Sequence, residues 1–223
     1  MLVETPQEKK SIQQAPTDNV EAYTYYLKGR QHLHRGSQSG YKTAREMFVK
    51  AVELDPSYAR AYAGIADCDS FLFLRTTASI SPESILATSE KALALDPNLA
   101  EAHASRGNAL SVAKRYAEAE AEFEKAISLD PNSFEARYFY ARACVFQGKI
   151  DQATALFECA SEIKPDDYSC PCILVQWYRT LGRDEEIEAV ARKGVKLAER
   201  QLILHPDDGR AAELGSQALI QLG

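Results

Sequence analysis

Long apolar runs are missing from this chain. A membrane helix needs about 18 predominantly apolar residues, and the strongest bursts here, Phe71–Leu74 and Cys172–Val175, are far shorter. Met1 to Lys10 carries Glu4, Pro6 and Glu8 and has no apolar core of a secretion signal. Cysteine is sparse and odd in number, five residues inside helical patterns with no disulfide framework, which fits a reducing compartment. A soluble, cytoplasmic chain is therefore expected, with no membrane contact. Positive charge is not in excess: 26 Lys/Arg against 32 Asp/Glu give a net charge of −6, which argues against a nucleic-acid partner.

Catalytic and metal signatures are lacking too. There is no Gly-rich phosphate loop and no nucleophile with a base and an orienting group, so neither enzyme activity nor a cofactor is expected. Cys170-Pro171-Cys172 places two thiols two residues apart, where a helix points them in different directions, and no second pair completes a zinc site. No metal is expected. His32 and His34 diverge by about 200° on a helix, His32 packing and His34 exposed. His103 falls on an aromatic packing position, and Cys68, Cys144 and Cys159 read as small buried apolar residues. Glu118, Glu120, Glu122 and Glu124 read as a solvated outer surface, and Asp166-Asp167 and Asp207-Asp208 as helix caps.

What the chain does have is a period. Ala119, Phe123, Ala126 and Pro131 recur as Ala153, Phe157, Ala160 and Pro165, a shift of 34 residues that signals stacked helix pairs. Ala44, Phe48, Ala51 and Pro56 repeat the pattern earlier. Pro97 and Pro206 each follow the preceding proline of the series by 41 residues, a surplus of seven. Between Pro56 and Pro97 that surplus lengthens the first helix and the turn, where TTASI forms an extended link before the cap at Ser81-Pro82-Glu83. Before Pro206 it extends the second helix, about Asp184 to Leu204, and seven residues rotate the buried face by only about 20°.

The expected fold is all-α: a right-handed superhelical solenoid of antiparallel helix pairs with about five and a half repeats. The repeats run approximately 22–56, 59–97, 100–131, 134–165 and 168–206, with a partial sixth at 209–223. Residues 1–18, polar and proline-punctuated, read as a disordered or linking segment. The sixth repeat lacks its second helix, so the chain is expected to be part of a longer protein.

The segments AREMFVKAVELDP, AEAEFEKAISLDP and DQATALFECASEIKP resemble the tetratricopeptide repeat family, from about Asn19 onward. The small residue of the family's first helix is matched by Gly29 and Gly107 and replaced by Ala66, Ala141 and Val175. The resemblance implies a protein-interaction scaffold whose first helices line a concave groove. Carried over by position, that groove would present Tyr26 and Arg30, Ala63 and Asp67, Ala104 and Asn108, Tyr138 and Arg142, and Cys172 and Gln176. The carboxylate-clamping pattern of chaperone-binding members is not reproduced. The opening APTDNVEAYTYYLKGRQHLHRG, the segment AYAGIADC and the long fifth repeat are similar to the C-terminal repeat region of bacterial multidomain regulators. That similarity implies a regulatory or sensory arm attached to a class III adenylate/guanylate cyclase or another output domain, whose own parts are not visible here.

The six first helices hold twelve Lys/Arg against six Asp/Glu in a chain that is acidic as a whole. The groove is thus expected to be relatively basic and its partner an acidic peptide or protein. Self-association through the terminal repeats is the alternative.

Overall fold

The computed structural model describes residues 17–34, 36–75 and 80–222. These form eleven helices and no strand among the described residues: α1 (Val20–His34), α2 (Gln38–Leu54), α3 (Ala59–Arg75), α4 (Pro82–Leu95), α5 (Ala100–Val112), α6 (Tyr116–Leu129), α7 (Phe134–Phe146), α8 (Ile150–Ile163), α9 (Ser169–Thr180), α10 (Asp184–Leu204) and α11 (Gly209–Ile220). Each helix packs against the next, and first helices of successive pairs also pack on one another, α1 on α3, α3 on α5, α5 on α7 and α9 on α11, which makes a solenoid. No described helix is long and apolar enough to cross a membrane.

Turn chemistry sets the repeat. Asp55, Asp96 and Asp130 end α2, α4 and α6, and their backbone N–H groups bond the carbonyls of Ala51, Ala92 and Ala126. Each side-chain Oδ1 then accepts the backbone N–H two residues on, from Ser57, Asn98 and Asn132, at 2.9–3.0 Å. The intervening Pro56, Pro97 and Pro131 have no N–H to continue the helix. Helix starts are capped by Asn19, Ser81, Ser133, Asp167 and Asp208. Ser81 forms a capping box with Ser84, and Pro82 occupies the first turn.

Packing follows from one large residue set between small ones. Phe48, Phe123 and Phe157 are at most 1% exposed, as are Ala44, Ala51, Ala119, Ala126, Ala153 and Ala160 around them. Gly29 and Gly64 press on Phe48 from two sides, and Gly107 presses on Phe123, where a Cβ would come within 2.6 Å of the ring. In the second pair the central position is Ser89, buried and bonded to the Leu86 carbonyl. In the fifth, Gly194 brings α10 against the Cys172 backbone.

The structure corrects several readings. Cys159 is exposed, because the buried line of α8 runs through Phe157 and Ala160 and leaves position 159 outside. His103 is a half-buried polar bridge, its ring nitrogens 2.6 Å from Glu122 Oε2 and 3.0 Å from the Pro97 carbonyl. Glu120 and Glu122 are half-buried rather than merely solvated. Glu122 also pairs with Arg106, and Glu120 accepts the Tyr140 hydroxyl and pairs with Lys149, so the two acids join α6 to its neighbours. The remaining four cysteines are buried free thiols. Most of the 1–18 segment, the TTASI link up to Ser79 and the His34 side chain lie outside the described residues.

Candidate functional site

Contacts that skip repeats identify the inner face. Arg30 of α1 reaches Glu135 at the start of α7, an ion pair at 2.5 Å between residues 105 apart in sequence. Arg210, at the start of α11, bonds the hydroxyls of Tyr41 and Tyr138, 169 and 72 residues away. A Cβ at Gly36 would run into the Arg210 side chain, and the positive φ of 63° there also favours glycine. The superhelix therefore curls until its sixth repeat meets its first.

An aromatic cluster fills the closure. Tyr41 and Phe71 stack with centroids 4.7 Å apart, Phe71 meets Phe139 edge-on at 5.9 Å, and Phe139 meets Tyr138 at 6.1 Å. Three guanidinium groups lie over these rings: Arg142 at 4.7 Å from the Phe71 centroid, Arg210 at 5.8 Å from Tyr138 and Arg75 at 5.9 Å from Tyr41.

Of the seven residues singled out from the sequence, Tyr138, Arg142 and Gln176 line one cleft of about 300 Å³, together with Arg75, Trp177 and Arg210. Gln176 is exposed and Tyr138 buried. Arg142 Nη1 and Trp177 Nε1 are buried and have no hydrogen-bond partner. Burial pulls the Arg142 guanidinium below its usual pKa, and the charges of Arg210 and Arg75 add to the effect.

Asp67 and Asn108 sit apart from this cleft, each 6% exposed, with Asp67 Oδ1 and Asn108 Nδ2 lacking partners. Burial pushes the Asp67 carboxyl up to about 7, against the opposing pull of the Ser105 hydroxyl and the Arg30 guanidinium. Tyr26 belongs to the core, wedged against Tyr58 at 5.1 Å and Phe48 at 5.7 Å. Ala63, Ala104 and Cys172 are buried.

Arg75, Trp177 and Arg210 were not singled out from the sequence. Arg75 closes the 17-residue α3, longer than the 13-residue α5 and α7, so the seven-residue surplus was the available signal for it. Arg210 had no local signal, since its partners come from other repeats.

The Arg30–Glu135 pair clamps the first repeat to the fourth with both side chains about a quarter exposed. A double-mutant cycle of Arg30→Gln and Glu135→Gln, read by urea unfolding, should give a coupling energy of about 1 kcal/mol. A coupling of zero would mean that the pair does not hold the inner face closed.

Residues 112–169 match the family model described as Tetratricopeptide repeat. No curated protein matches the chain. Among solved structures, a thermophilic TPR protein of Thermus thermophilus aligns at 16% identity and a TM-score of 0.62 over 89% of this chain and 99% of its own. PilF of Pseudomonas aeruginosa aligns at 22% identity and 0.56, over 88% of this chain and 90% of its own. The human IFIT1 dimer with m7Gppp-AAAA aligns at 20% identity and 0.64, over 91% of this chain and 47% of the IFIT1 chain. At these identities the likeness is one of fold.

Proposed function

We propose that this tetratricopeptide-repeat solenoid is a non-catalytic scaffold that holds an acidic peptide, or an acidic segment of a partner protein, against its inner face. The observation that carries this reading is the cleft beside α7, α9 and α11, which is lined by Arg75, Arg142 and Arg210 and by no acidic residue. Tyr138 and Trp177 offer rigid aromatic area, and guanidinium forks grip carboxylates. The inner helices carry a positive surplus while the chain as a whole is negative, so an acidic partner is drawn to the inner face and repelled elsewhere.

Peptide pools of equal length, one rich in Asp/Glu and one rich in Lys/Arg, separate the possibilities by fluorescence anisotropy. The acidic pool should bind more tightly, and its affinity should fall by about tenfold or more between low salt and roughly 0.5 M. Equal binding of both pools would remove the basis for the proposal.

Self-association is a second reading, favoured by Ile203 and Leu204 at the end of α10 and Leu219 and Ile220 at the end of α11, which are 54–80% exposed. Sedimentation that stays independent of concentration would exclude it. A role as the regulatory arm of a nucleotidyl cyclase-like protein rests on the sequence resemblance alone.

A further inference from the structure

We propose that the cleft between Arg75, Arg142 and Arg210 is a site for a dianionic oxyanion, a phosphate monoester carried on the side chain of the bound peptide. The inference rests on the inner face being the binding surface, and it names the group that anchors the ligand there.

The first ground is charge without a counter-charge. Arg30, Arg45, Arg106 and Arg183 all pair with carboxylates. Among the described residues, no carboxylate forms an ion pair with Arg75, Arg142 or Arg210. Rings and hydroxyls hold these three in place instead, through Tyr41, Phe71 and Tyr138. Aromatic faces and phenol oxygens orient a guanidinium without neutralising it, so three like charges converge at a standing electrostatic cost. An anion in the cleft relieves that cost.

The second ground is independent of charge. The cleft contains two buried donors with no acceptor, Arg142 Nη1 and Trp177 Nε1. A buried N–H that forgoes water without gaining a partner is unfavourable, and both are satisfied at once by a group with several acceptor oxygens.

The choice of anion follows from count. A carboxylate brings one negative charge and two oxygens, whereas a phosphate monoester brings about −1.5 to −2 near pH 7 and three strong acceptor oxygens. Three guanidinium groups and an indole N–H match the second far better, and about 300 Å³ has room for it. A peptide carrier fits better than a nucleic acid because the cations converge on one spot. A polyanion needs a track of them and would meet the chain's overall charge of −6.

The chain has a single tryptophan, so Trp177 emission reports directly on the cleft. The probes are a short, otherwise neutral peptide with one phosphoserine, the same peptide with serine or glutamate in its place, inorganic phosphate, and a short single-stranded RNA. The phosphopeptide should change Trp177 emission and bind about tenfold or more tighter than the glutamate peptide, with inorganic phosphate competing. Arg75→Gln, at an exposed helix end, and Arg142→Gln should each weaken phosphopeptide binding about tenfold or more, and Arg75→Gln should not lower the unfolding temperature, since it removes one of the three like charges. If the glutamate peptide binds as well as the phosphopeptide and both respond to Arg75→Gln, the inner face binds acidic peptides but the phosphate assignment is overturned. If the RNA binds more tightly than the phosphopeptide, the assignment is overturned in favour of a nucleic acid. If no probe binds while the acidic peptide pool does, the phosphate assignment falls and the scaffold reading stands; if the acidic pool fails as well, both fall.

Discussion

Replacing Phe123 with alanine is expected to lower the free energy of unfolding by about 3–5 kcal/mol. The ring is fully buried, stacked on Tyr140 with centroids 5.2 Å apart, and held between Ala119 and Ala126 on its own helix. Gly107 of α5 lies so close that its missing Cβ is itself part of the packing. Apart from Tyr140, which the Glu120 and Gln152 side chains hold by its hydroxyl, these neighbours are too short to fill the cavity, and the loss belongs at the upper part of the range. In a solenoid each repeat is stabilised by its neighbours, so the damage should reach the interfaces on both sides of α6. Urea unfolding followed by circular dichroism measures it. A loss below about 1 kcal/mol would show that the Ala-Phe-Ala pattern is not what joins the pairs.

The second large effect is a pH dependence at Asp67. Its carboxyl is pushed by burial up to about 7, whereas an unfolded chain releases that proton near 3.9. Between those values the native state keeps a proton that the unfolded state has lost. Stability from this group therefore falls as pH rises from about 4 to about 7 and is level above that. The full difference is on the order of 4 kcal/mol as a ceiling. Arg30, Ser105 and Glu135 all act on this carboxyl, and the first two favour its ionised form. Asp67→Asn keeps the shape and removes the titration, so the variant should match the wild type near pH 4 and exceed its stability by up to a few kcal/mol at pH 8. Lowered carboxyls such as Asp55 and Glu120 titrate in the opposite sense in both proteins and cancel in the comparison. Parallel stability curves for the two proteins would contradict the buried, proton-holding Asp67. Above about pH 7 the ionised carboxylate would also add a negative charge to the inner face and weaken acidic ligands.

The solenoid was legible because its determinants are local. Proline after an aspartate turn, small residues around Phe48, Phe123 and Phe157, and capping residues such as Ser81 and Asp208 each act within a few positions of the chain. The site was legible only in part. Register along α7 placed Tyr138 and Arg142 on one face, because residues four apart share a face, and the equivalent position of α9 supplied Gln176. The closure of the superhelix depends on small rotations summed over five repeats, and no single segment encodes that sum. Arg210 against Tyr41, and Arg30 against Glu135, arise only from it. Tyr26 departs from the groove for a local reason, packing on Phe48 of the adjacent helix and on Tyr58 just before α3.

Photo-crosslinking gives the most direct test of the account. An acidic peptide pool carrying a photoreactive residue is bound, irradiated and mapped by mass spectrometry. Adducts should fall on α7, α9 and α11, around Tyr138, Gln176 and Trp177, and should disappear in high salt. Adducts concentrated on the second helices α4, α6, α8 and α10 would contradict an inner-face binding site.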